Sequence, residues 1–188
     1  LIAIVLGTLA ALALDRFDFR GKGLVRFGIV LPIVLPGIVT GVAMLSFFSV
    51  TNTDLSNRTI IIGHTTFCIT LVLNNVVARL AQIPRNLSEA AADLGATPFR
   101  SFWTITFPLT LPAIIAGGLL AFTLSFDEIV VTLFLKGRDA TLPLVIWGRL
   151  RRGFAPDINA AATMIIAVSF VAVLLATVLT SRTRTSAR

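Results

Sequence analysis

The stretch Ser88-Glu89-Ala90-Ala91-Ala92-Asp93-Leu94-Gly95-Ala96-Thr97-Pro98-Phe99, continuing to Pro108, is a polar, interrupted segment between two long apolar runs. Pro84 and Ser88 suit the start of a helix, Glu89 suits its first turn, and Gly95 is placed to end it in a left-handed conformation. Thr97 then caps a second helix with Pro98 at its first position, where a missing amide hydrogen costs nothing. That helix carries Phe99, Phe102, Trp103 and Phe107 before Pro108. The pattern predicts two short helices meeting at an angle, held between membrane spans.

Outward from this stretch the chain is apolar. Of 188 residues, 56% are hydrophobic and only 13% charged, which places it among membrane proteins rather than soluble domains. The net charge of +7 does not signal nucleic acid, because the basic residues are scattered through loops between apolar runs instead of forming a patch. With one histidine and one cysteine, no metal cluster and no paired nucleophile and base emerge, and there is no Gly-x-x-x-x-Gly-Lys-Ser/Thr loop. The chain is therefore expected to be no enzyme and to bind no metal or cofactor itself. Cys68, inside an apolar run, reads as packing, and His64 reads as a satisfied or interfacial residue.

The expected architecture is an all-α polytopic membrane protein forming one domain over residues 1–188. Its spans fall at about 1–14, 24–50, 60–80, 112–135 and 160–180, with a loop at 84–108 and another at 136–158. The run from Leu1 to Leu14 covers only about 21 Å as a helix against a hydrocarbon core of roughly 30 Å, so the first span is expected to be cut short at its N-terminus. Pro32 and Pro36 lie inside the 24–50 run and predict a bend, either a kink packed on a neighbour or a hinge. The amides of Asn74 and Asn75 are expected to face other helices. Placing the 84–108 loop in the cytoplasm puts ten of the 16 basic residues there, which favours that orientation. Five positives in the 136–158 segment run against it; Leu144, Trp147, Leu150 and Phe154 recur at helical spacing there, suggesting a short helix at the outer interface or an extended segment.

The interrupted stretch carries a family resemblance. Glu89-Ala90-Ala91, three residues, Gly95, nine residues, Ile105, one residue and Phe107-Pro108 resemble the EAA loop of permease subunits of ATP-binding-cassette importers, with Phe107 where Leu is usual. The resemblance implies the transmembrane domain of a type I importer in the bacterial cytoplasmic (inner) membrane. The loop would be a coupling helix seated on a cytoplasmic ATPase dimer that holds the ATP and Mg. Glu89, Ala90, Ala91, Gly95, Phe99, Phe102, Trp103, Ile105 and Pro108 are its candidate coupling residues. A second permease subunit, an external substrate-binding protein and membrane lipid complete the implied partners. The small Ala90 and Ala91 and the rigid apolar Phe99, Phe102 and Trp103 also suit a protein interface on chemical grounds.

A narrower likeness covers about residues 84 to 180. Leu124-Ser125-Phe126-Asp127-Glu128, Thr141-Leu142-Pro143-Leu144 and Gly153-Phe154-Ala155-Pro156-Asp157-Ile158-Asn159-Ala160 resemble the C-type subunits of spermidine/putrescine permeases, in which a second Asp is usual where Glu128 stands. This implies a polyamine such as putrescine or spermidine as cargo, moved by alternating access. A permease for ferric iron, a sulfate-like anion or a phosphonate is the alternative, with an ATP-independent secondary transporter further off. Ionised carboxylates in a span cost on the order of 3 kcal/mol each, so Asp127 and Glu128 demand a reason. A cationic substrate supplies one; an ion pair or a protonated, hydrogen-bonded carboxyl supplies another. Counting from Pro112 puts Asp127 roughly 22 Å along its helix, toward the outer side. Neighbours on a helix point about a hundred degrees apart, so one of the two carboxylates is expected to face the path. Phe122 and Phe126, one turn apart, offer either ring faces to an ammonium group or simple packing.

Overall fold

The computed structural model describes residues 1–84, 86–138, 140–151, 159–160, 163–168 and 170–171. Arg85, Arg152, the segment from Gly153 to Ile158, most of the expected 160–180 span and Arg182, Arg184 and Arg188 lie outside them. The described residues form helices and no strand: α1 Ile2–Arg16, α2 Lys22–Val34, α3 Gly37–Val50, α4 Asn57–Leu80, α5 Asn86–Asp93, α6 Pro98–Ser101, a π-helical turn Phe102–Thr106, α7 Phe107–Asp127, α8 Val130–Leu135 and α9 Leu142–Leu150. The chain groups into two units, 1–143 and 144–188.

In the first unit α4 is the central post, with α1 and α7 packed along it. Its buried face carries Phe67, Val72, Leu73, Val76 and Leu80. Close approach is set by missing side chains: a β-carbon at Gly117 of α7 would lie 3.0 Å from Val72 Cα, and one at Gly7 of α1 would lie 2.8 Å from Val72 Cβ. Small residues at such crossings are the usual device where lipid supplies no hydrophobic drive between helices. Asn75 meets the expectation of facing a neighbour, lying against Gly117 with its amide donated to the Leu71 carbonyl at 2.8 Å. Asn74, by contrast, is exposed on the surface of this unit.

Two expected spans differ in continuity. The 24–50 run is not one bent rod: α2 and α3 meet at 111° across Leu35 and Pro36. Pro32 is absorbed within α2, so Pro36 alone marks the break. The expected helix ending at Pro108 and the span starting at Pro112 are one continuous 30-residue helix, Pro98–Asp127. The rod is not uniform where the prolines enter it. Phe107 N–H reaches back to Phe102 O in the wider π turn, the Thr104 and Thr110 hydroxyls donate to Arg100 O and Thr106 O at 2.8 Å each, and Arg79 Nε donates to Leu109 O at 2.8 Å. At the other end the expected 112–135 span stops at Asp127, and α8 starts anew at Val130. Among the described residues, two helices are long and apolar enough to cross a membrane, or three if α2 and α3 count as one broken span.

The second unit begins within α9. Leu144 and Trp147 lie on this helix as the spacing predicts, and the Arg151 guanidinium sits 4.0 Å over the Trp147 ring, a cation–π contact at the helix end.

Candidate coupling helix and a carboxylate at a helix break

The polar stretch folds locally as its sequence dictates. Gly95 adopts φ 80°, Gly95 N–H donates to Ala92 O at 2.8 Å, and Ala96 N–H donates to Ala91 O at 2.9 Å. This pair of bonds is the Schellman arrangement, which needs a residue at ease in the left-handed region. Thr97 then caps α6 by accepting from Arg100 N–H at 3.3 Å, with Pro98 at the first turn.

None of the eight residues of α5 is buried. Glu89 and Ala90 are exposed and Ala91 is half-buried. Leu94 is 89% exposed and Phe99 is 74% exposed, so an apolar ridge stands clear on both sides of Gly95. Leu94 was not among the candidate coupling residues; its place beside the helix-ending glycine was the available signal. Behind the ridge, Phe102, Trp103 and Phe107 form a cluster with ring centroids 4.9 to 6.0 Å apart, and Phe99 touches Trp103 at 6.2 Å. Ile105 is half-buried, and Pro108 is an exposed residue of the first turn of α7. The coupling candidates therefore divide: Glu89 to Phe99 form an outward surface, and Phe102 to Pro108 form the root of the long helix. That helix is about 45 Å long, about 15 Å more than an upright crossing of a roughly 30 Å hydrocarbon core needs. One rod joins the exposed stretch to Asp127.

At the far end of the rod, Glu128 takes φ −74°, ψ 108°, which breaks the α7 ladder. Its side chain turns forward, and Oε1 accepts from Val131 N–H at 2.9 Å. Glu128, one residue before the N-cap Ile129, thus caps the start of α8 with its side chain, where a carboxylate also meets the positive helix end. The same carboxylate lies beside the first residue of α3, 3.9 Å from where a β-carbon on Gly37 would stand. The two helix breaks, at Pro36 and at Glu128, therefore adjoin. Asp127, the last residue of α7, is exposed and makes no hydrogen bond or ion pair with any described residue. The two carboxylates, expected within a continuous span, stand at its interruption with different environments: one satisfied, one free.

The six-residue α8 is far below the length at which a helix stands alone, about 12 residues. It is held by α3 and α4. Val131, Thr132 and Leu135 are buried, and a β-carbon at Gly63 of α4 would collide with Leu135 Cδ1. The Thr59 hydroxyl caps its end at Leu135 O, 2.7 Å away. His64 reaches Ser125 Oγ with Nδ1 and Thr132 Oγ1 with Nε2, both at 2.8 Å, so it is a satisfied histidine as expected, but its partners flank the break. Buried Cys68 donates weakly to Ala121 O at 3.3 Å. Phe122 and Phe126 stack at 6.0 Å and line a cavity of about 770 Å³ with His64, Ser125 and Cys68. Asp127 is not among its lining residues, so the structure pairs the two rings with each other and not with the free carboxylate.

Residues 3–185 match the family of binding-protein-dependent transport system inner membrane components. The chain belongs to this family. It is an all-α, multi-pass inner membrane component, and the resemblances read from the spacing around Glu89 and Asp127 lead to the same place. The putrescine transport system permease protein PotI of Escherichia coli (strain K12) is 43% identical over 172 residues, 87% of this chain and 61% of the relative. The spermidine/putrescine transport system permease protein PotC of Haemophilus influenzae is 36% identical over 182 residues, 96% of this chain and 71% of the relative. PotC of Escherichia coli (strain K12) is 37% identical over 173 residues, 92% of this chain and 66% of the relative. The chain thus spans about 61% of the length of the PotI permease. These relatives are named as transport system permease proteins.

Proposed function

We propose that this chain is the membrane-spanning part of an ATP-driven importer for a polyamine such as putrescine or spermidine. It works by alternating access, with ATP and Mg on a separate cytoplasmic ATPase dimer. A second permease subunit completes the pathway and an external binding protein delivers the cargo. The relatives' names support the cargo class. The observation that carries the reading is Asp127: an exposed carboxylate at the end of a long apolar helix, with no hydrogen bond or ion pair to any described residue. A primary ammonium group is the complementary ligand. Glu128 caps α8 and shapes the junction instead of meeting cargo directly.

Coupling follows from continuity. A push on the exposed α5 surface passes through Gly95 and Thr97 into a helix that runs unbroken to Asp127. The π turn and Pro108 and Pro112 are the points at which this rod is softest. The assembled transporter, reconstituted with its ATPase and binding protein, tests the reading. ATP-dependent uptake of labelled putrescine, suppressed by excess spermidine but not by ferric iron, sulfate or a phosphonate, is the expected result. Uptake suppressed by one of the latter three, with no putrescine uptake, overturns the cargo assignment. Putrescine uptake that needs no ATP overturns the importer mechanism.

A further inference from the structure

His64 contacts both sides of the interruption between α7 and α8 from a third helix, sixty-one residues before Ser125 and sixty-eight before Thr132. The direction of each bond follows from proton counting. Thr132 Oγ1 donates its single proton to Glu128 O at 2.8 Å, so toward His64 it can only accept, and Nε2 must carry the ring proton. In the neutral ring, Nδ1 then accepts from the Ser125 hydroxyl. The result is a directed chain, Ser125 O–H to His64 Nδ1, His64 Nε2–H to Thr132 Oγ1, and Thr132 O–H to the Glu128 carbonyl. It closes a bridge over the peptide units that carry Asp127 and Glu128. Thr132 is fully buried, so it has no water to replace a lost partner.

We propose that His64 is a positioning residue for transport: it clasps the end of α7 to the start of α8 and so fixes where the free Asp127 carboxylate points. This rests on the reading of Asp127 as the cargo-facing carboxylate. A plain packing role does not require two hydrogen bonds to opposite sides of a helix break, and an interfacial histidine does not require burial. His64 touches no cargo on this account; it acts through the backbone that it ties.

The test uses the assembled transporter in right-side-out membrane vesicles. Cys68, the one cysteine in this sequence, is buried, so a cysteine placed by Asp127→Cys is read with a membrane-impermeant thiol reagent as labelling above that of the parent transporter. A second cysteine, Val50→Cys at the exposed end of α3, serves as the control. His64→Ala is expected to change the labelling rate at position 127 by about tenfold, the scale of losing one or two buried hydrogen bonds, with the rate at position 50 unchanged. In the Asp127 background it is expected to raise the KM for putrescine about tenfold with little change in maximal rate. His64→Gln, which keeps one donor and one acceptor, is expected to restore both. Thr132→Val, which keeps the side-chain volume and removes the Nε2 partner, is the second variant should His64→Ala fail to assemble, and is expected to act alike. Unchanged labelling at position 127 in an assembled His64→Ala or Thr132→Val transporter overturns the clasp. So does equal change at position 50, which marks general loosening. Altered labelling at position 127 alone, where the parent transporter with Asp127 in place takes up no putrescine, leaves the clasp standing and removes the polyamine assignment.

Discussion

Replacing Glu128 separates the roles of the adjacent carboxylates. Its Oε1 accepts the Val131 amide at 2.9 Å and caps a helix of six residues. Glu128→Ala removes a cap, typically about 1 kcal/mol, and a favourable charge at a helix N-terminus, about 0.3–1 kcal/mol. A total near 1.5 kcal/mol corresponds to about a tenfold rise in the opening equilibrium of α8. Hydrogen–deuterium exchange of the Val131 to Leu135 amides reads this directly, because exchange from a locally opened state tracks that equilibrium. Glu128→Ala is expected to accelerate these amides about tenfold. Glu128→Gln keeps an accepting oxygen and Glu128→Asp keeps a favoured capping group, so both are expected to stay within about threefold of the parent. Asp127→Asn, which touches no described partner, is expected to leave exchange unchanged. Equal protection in Glu128→Ala and the parent, or acceleration by Asp127→Asn, would refute the division into a cap and a free carboxylate.

Two further outcomes probe the coupling surface. Gly95→Ala adds no contact, since nothing lies within 4 Å of the new β-carbon, but it forces a side chain into φ 80°. A cost of about 1–2 kcal/mol is expected, with Gly95→Asn milder, visible as weaker copurification of the ATPase and less uptake. Leu94→Asp places a charge on a residue that is 89% exposed, so membrane insertion should be unaffected while ATPase association falls; unchanged association would remove Leu94 from the docking ridge.

What the sequence reveals and what it hides divides along locality. The Gly95 ending and the Thr97-Pro98 start are legible because each is decided by a few adjacent residues with strong backbone preferences. The passage of the long helix through Pro108 and Pro112 is not, because a proline inside an apolar run reads equally as a stop or a tolerated kink and the wider turn over Phe102–Thr106 has no marker of its own. The break at Glu128 carries no proline or glycine. It is made by the side chain of Glu128 itself and held by His64 from α4, so periodicity alone reads straight through it. Pro32 and Pro36 differ in the residue that follows, Ile33 against Gly37, and the Pro36-Gly37 pair is the turn signal that the structure bears out. The carboxylate pair was conspicuous as a pair; its division into one satisfied and one free member needed the fold. The likeness to spermidine/putrescine permeases usually shows Asp at the position of Glu128, and a capping role explains why either acid serves there.

The central claim is that Asp127 is the carboxylate that meets a cationic cargo. Uptake of labelled putrescine by the assembled transporter carrying Asp127→Asn tests it most directly. Loss of a charge-assisted contact, about 1.5–3 kcal/mol, is expected to raise the KM by about tenfold or more while assembly and α8 exchange stay unchanged. A normally assembled Asp127→Asn transporter with the parent's KM and maximal rate would contradict it.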